Sequence, residues 1–138
     1  MRIVLAANPE ADQPWVADAA ADLARQTGAT VAVVAVDEVE VERLAAVPRS
    51  VFTERAERAV AAAADRLAAA GVEVTRTVLP GRPLHRILQF ADEVQADLIV
   101  VGSSTRPAVA QRLLGSVPLD LIRRSARPVV VITHPHRA

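Results

Sequence analysis

The chain has 138 residues, room for one domain spanning residues 1–138 that buries roughly two-thirds of the surface its unfolded form exposes. Its 16 basic and 16 acidic side chains cancel, and every basic one is Arg; neutrality argues against a nucleic-acid or anionic-membrane partner, and the lack of Lys excludes a P-loop lysine and Schiff-base chemistry. With no Cys there is no disulfide, thiolate nucleophile or cysteine zinc site, and no apolar run approaches the roughly 18 residues that span a bilayer.

The opening "MRIVLAANPEAD" has no charged region leading into a long apolar one, so a cytoplasmic protein is expected. Within it, Ile3–Ala7 reads as the first strand. Trp15, Ala19, Leu23 and Gln26 then recur at helical spacing, and Gly28 is placed to end that helix in a left-handed turn. Thr30–Val36 reads as the second strand. Asp37–Arg49 reads as an irregular, acidic loop interrupted by Pro48, and its Asp37 and Glu38 either face a ribose or metal or merely solubilise the loop.

From about Ser50 to Ala70 a second helix is expected, with Phe52, Ala56, Ala59, Ala63, Leu67 and Ala70 on one stripe, Glu54 and Arg58 paired on the other face, and Gly71 as the stop. Val72–Leu79 is the third strand. Pro83 suits the first turn of a third helix that turns Leu84, Ile87, Leu88, Ala91 and Val94 inward. Leu98–Val101 is the fourth strand. A fourth helix begins near Ser116, with Ser116 or Val117 as cap, Pro118 in the first turn, and Arg123 and Arg124 at its negative end. Val129–Thr133 is the last strand.

Apolar, β-branched strands alternating with helices define an α/β fold, a doubly wound five-stranded parallel sheet with helices on both faces. With right-handed crossovers and strand order 3-2-1-4-5, the winding reverses between the first and fourth strands. Ligands sit at the carboxyl ends of strands at such a reversal, which sets Ala7, Asn8 and Pro9 opposite Gly102. Gly115-Ser116 precedes a helix whose free N–H groups favour an anion; ordinary turn chemistry with an N-cap accounts for the same residues.

The stretch "DLIVVGSSTRPAVAQRLLGSVPLDLIRRSARPVVVI" closely resembles the C-terminal part of the universal stress protein family, whose nucleotide binders carry G-x2-G-x9-G-(S/T) before a last apolar strand. "GRPLHRILQFADEVQADLIVVGS" resembles the family as well, and the element order agrees throughout. The resemblance implies an adenine-nucleotide (ATP) site, with or without Mg2+. It puts adenine on the main chain at Ala6, Ala7, Asn8 and Val36, and phosphates near Gly102, Thr105, Arg106, Gly115, Ser116 and Val117. Two positions depart from the family: Thr105 stands at the middle glycine, and Asn8 where the ATP binders usually have Asp. A β-branched residue is strained at positive φ, so Thr105 implies either a different local backbone or a hydroxyl facing phosphate. Arg106 and Arg112 flank the loop, to neutralise phosphate or simply to be solvated.

The resemblance also implies a homodimer through the last strand, and an edge strand apolar on both faces invites such pairing on its own account. Val129, Val130, Val131 and Ile132 are the interface so assigned. A stress-response sensor binding ATP is therefore expected, with an unknown protein partner; the alternative is a family member that has lost nucleotide binding and acts as a dimeric interaction module. No catalytic or metal residue is assigned. His134 and His136 lack a third ligand, His85 is expected at the surface, and no G-x-S-x-G elbow occurs. With no placed general base, slow ATP hydrolysis is the most that is expected of it as an enzyme. Adenylation is disfavoured because "AANPEAD" offers no Gly/Ser-rich pyrophosphate loop.

Overall fold

The computed structural model describes residues 1–38, 49–103 and 117–133. In chain order the elements are β1 (Arg2–Ala6), α1 (Pro14–Thr27), β2 (Thr30–Glu38), α2 (Arg49–Ala69), β3 (Val74–Gly81), α3 (Pro83–Glu93), β4 (Leu98–Gly102), α4 (Val117–Arg124) and β5 (Val129–Ile132). The five strands form one parallel sheet in the order β3-β2-β1-β4-β5, as the alternation of strand and helix patterns predicts.

Alternation along the central strands divides the interior between two layers. Ile3 and Leu5 of β1, Val31 and Val33 of β2 and Val100 of β4 pack against α1 and α2, where Leu67 is fully buried. Their neighbours Val4, Val34, Ile99 and Val101 turn to α3 and α4 and meet Ile87, Phe90 and Leu121. Leu121 alone ties α4 deeply into this layer, since Leu119 and Ile122 on the same helix are more than half exposed.

Helix ends follow local chemistry. Gly28 caps α1 at φ 71°, ψ 21°, where a side chain would be strained, and its N–H donates to the Ala24 carbonyl. Gly71 stands in the same left-handed region after α2, and the Val72 N–H reaches back 3.0 Å to the Leu67 carbonyl. Pro83 opens α3 as expected, and Arg123 and Arg124 lie in the last turn of α4.

Several expectations need correction. β1 ends at Ala6, β3 starts at Val74 and runs to Gly81, β4 reaches Gly102, and β5 stops at Ile132. β2 continues through Asp37 and Glu38, which the sequence places in a loop, because β3 runs far enough to pair with both. The buried face of α1 is Val16, Ala17, Ala20, Ala21 and Ala24; Trp15, Ala19 and Leu23 flank it, and Gln26 is exposed. On α2 the fully buried positions are Ala56, Val60, Ala64 and Leu67, whereas Ala59, Ala63 and Ala70 are half-buried. In α3, Phe90 joins Ile87 and Ala91 in the interior. Glu54 and Arg58 are not among the ion pairs seen between described residues, which include Asp22 with Arg25, Asp18 with Arg66, Asp65 with Arg76 and Asp92 with Arg127.

Candidate functional site

The strand order reverses between β1 and β4, so their carboxyl ends diverge into helices on opposite faces and leave a crevice. Beyond β1 the ladder continues for one bond, from the Ala7 N–H to the Val34 carbonyl at 2.8 Å. Asn8 then turns the chain. Its side-chain Oδ1 accepts the Glu10 N–H at 2.9 Å and its carbonyl accepts the Ala11 N–H at 3.4 Å, a side-chain-stabilised turn that Asn and Asp favour. This leaves the Nδ2 amide of Asn8 as the donor that its side chain offers a ligand.

Gln13 ends the loop at the N-cap of α1, yet makes no side-chain capping bond. Instead its Nε2 crosses the crevice and donates to the Ser103 carbonyl at 3.1 Å. The side chain lies directly on Gly102: a Cβ there would stand 2.5 Å from Gln13 Oε1 and 2.8 Å from Val16 Cγ2. A side chain at this position would have to displace Gln13 or Val16, so glycine suits the packing of α1 on the end of β4.

A cleft of about 280 Å3 opens between the β1–α1 loop and α2. Ala6, Ala7 and Asn8 line its strand side, Ala59, Ala62 and Ala63 its helix side, and Arg55, Arg58 and Arg66 stand along α2 with Glu10 and Asp12 opposite. The small apolar surfaces inside and the charges around them suit a flat ligand with polar substituents. Arg66 is held by Asp18 through two bonds, Nε to Oδ1 at 3.0 Å and Nη2 to Oδ2 at 2.8 Å. The bond from Arg66 lowers the Asp18 pKa, partly offset by desolvation, and the same contact raises that of Arg66.

The sequence-derived residues divide among three places. Ala6, Ala7 and Asn8 meet in the cleft, while Gly102 lies beneath Gln13 at the end of β4. Val36 is buried in the layer under α3 and α4 and does not line the cleft. Val117 opens α4 half-buried against that same layer. Thr105, Arg106, Arg112, Gly115, Ser116, His134 and His136 lie outside the described residues, and His85 is exposed. Asp37 differs from its reading as a loop solubiliser: it is 3% exposed inside β2 and accepts the Thr53 hydroxyl at 2.7 Å. The sequence does not mark Gln13 or the α2 arginines Arg55, Arg58 and Arg66 as site residues; Arg58 is expected there only as the ion-pair partner of Glu54. The one signal for Gln13 was a Gln immediately before Pro14, where a capping Ser, Thr, Asp or Asn is the usual choice.

Fold and crevice together define a doubly wound α/β domain with its candidate ligand site at the reversal of strand order. The sequence profile of the universal stress protein family matches residues 1–133, and the chain belongs to that family. A universal stress protein of Methanocaldococcus jannaschii is 36% identical over 67 residues, 49% of this chain and 39% of that relative, so the match takes in less than half the relative's length. The structure of a universal stress protein from Archaeoglobus fulgidus superposes with a TM-score of 0.75 at 30% identity, covering 96% of this chain and 98% of that one. The structure of the universal stress protein from Archaeoglobus fulgidus in complex with dAMP gives a TM-score of 0.73 at 28% identity, covering 96% and 97%.

Proposed function

We propose that the chain binds an adenine nucleotide, with ATP as the ligand first expected, at the carboxyl end of the sheet and serves as a dimeric nucleotide-responsive stress protein of the cytoplasm. The base is assigned to the main chain at Ala6–Asn8 and Val36, and the phosphates to the side of Gly102, Thr105, Arg106, Gly115, Ser116 and Val117. The observation that carries the reading is the cleft of about 280 Å3 where the chain leaves the carboxyl end of β1, lined by Ala6, Ala7 and Asn8. The dAMP complex of a relative supports it by likeness. Where Mg2+ accompanies the nucleotide, its natural partners are the phosphate oxygens.

The test is direct. Protein purified without added nucleotide is denatured and its supernatant chromatographed for adenine compounds, then fresh protein is titrated calorimetrically with ATP, AMP and adenosine, with and without Mg2+. Nucleotide carried through purification, or saturable binding, supports the reading. Absence of both overturns it and leaves the second reading, a dimeric interaction module. That alternative draws on the exposed Leu119 and Ile122 of α4 beside the edge strand β5.

A further inference from the structure

We propose that Gln13 sets the length of phosphate chain the site accepts, by standing between the cleft and the end of β4. The inference rests on the adenine-nucleotide reading above and adds a specificity-determining residue to it. Three observations carry it.

The first is a departure from local preference. Gln13 holds the N-cap of α1 at φ −128° and ψ 68° without capping it, and its amide goes instead to the Ser103 carbonyl at 3.1 Å, 90 residues away in sequence. Side chains that forgo the locally favoured role are expected where function has claimed them. The second is which end of the amide faces which way. Oε1 covers the side of Gly102 that turns toward α1, while the donor Nε2 is spent on Ser103. Phosphate oxygens bring lone pairs and negative charge, so they meet an acceptor where they need a donor. The third is position, since Gln13 also lines the cleft that contains Ala6, Ala7 and Asn8. One side chain therefore joins the cleft to the end of β4.

A nucleoside monophosphate with its base beside Ala6–Asn8 stays on the near side of Gln13. A triphosphate extending toward Gly102 has to turn the amide out of the crevice, and the bond to Ser103 is lost in the turn. The site in its present form thus favours short phosphate chains, and the preference resides in Gln13.

Calorimetric titration of AMP and of ATP with Mg2+ into the wild type, Gln13→Ala and Gln13→Glu tests this. Gln13→Ala removes the side chain from this position and is expected to raise the ratio of ATP affinity to AMP affinity about three- to tenfold, the worth of one net hydrogen bond. Gln13→Glu keeps the length and turns a carboxylate on the phosphates, so the ratio falls below the wild-type value. Should Gln13→Ala fail to fold, Gln13→Asn, one methylene too short to reach Ser103, gives the same reading. A ratio unchanged or lowered in the shortened variants overturns the role of Gln13 while the nucleotide reading stands. Wild type and variants that bind neither nucleotide overturn both.

Discussion

Gly102 carries no side chain because Gln13 stands where one would be: a Cβ on Gly102 would lie 2.5 Å from Gln13 Oε1, with Val16 Cγ2 at 2.8 Å on its other side. Gly102→Ala is therefore expected to destabilise the fold by about 1–3 kcal/mol, the usual cost of overpacking. Gln13 is a flexible chain and Val16 a stiff β-branched one held in a helix. Relief by Gln13→Ala is accordingly partial, and a double-mutant cycle measured by urea unfolding should give a coupling of about 1 kcal/mol. Strict additivity would contradict the contact.

Asn8 holds the β1–α1 loop through its Oδ1 and the Glu10 N–H, 2.9 Å apart. Asn8→Ala removes that acceptor at an expected cost of about 0.5–1.5 kcal/mol. Asn8→Asp keeps an oxygen in the same place and should fall within about 0.5 kcal/mol of the wild type by the same measurement. A carboxylate here, the family's usual choice by resemblance, is thus compatible with the turn.

Asp18 and Arg66 supply the pH dependence. The Asp18 pKa lies below its ordinary 3.8 in the folded chain because Arg66 bonds to its carboxylate. A depressed folded pKa means stability that is present above the unfolded value and lost as pH falls through the folded one. Asp18→Asn should consequently lower the melting temperature slightly near neutral pH, as befits an exposed pair. Its difference from the wild type should shrink in acid below 3.8. A difference that grows in acid would contradict the assignment.

Along β5, the Ile99 N–H bonds to the Pro128 carbonyl at 3.0 Å and the Ser103 N–H to the Ile132 carbonyl at 2.8 Å. Parallel ladders alternate, so the main-chain groups of Val129 and Val131 face away from β4. Val131→Pro removes one outward N–H without touching the ladder. If two copies join through this edge, light scattering at micromolar concentration gives the mass of two chains for the wild type and of one for Val131→Pro. A wild type of single-chain mass overturns the dimer.

The sheet order was legible in the sequence because β-branched runs such as Val31–Val36 cannot be mistaken for helix, and right-handed crossovers leave few ways to connect them. Gly28 and Gly71 marked the helix ends for an equally local reason. The helix faces were less legible where alanine predominates. In "AVAAAAD" nearly every position is apolar and small, so periodicity has little contrast, and the stripe proposed for α2 missed Val60 and Ala64. The acidic Asp37 read as a loop because its partner Thr53 lies 16 residues on. Gln13 and Ser103 are 90 residues apart, and nothing local in either announces the other.

The two rims of the sheet are unlike. On β3 the outward positions include residue 80, since the Val31 N–H already takes the Glu73 carbonyl and the alternation follows from there. Residue 80 is Pro, with no N–H to offer, and its carbonyl accepts Arg86 Nε at 2.8 Å. At that position the β3 rim is blunted against strand addition, whereas Val129–Ile132 of β5 holds no proline. A sheet with one receptive rim can pair once, face to face about a two-fold axis, and then has none left. If two copies join through β5, association would on this account be self-limiting, ending at a closed pair, with Pro80 and its Arg86 contact disfavouring further addition at the far rim.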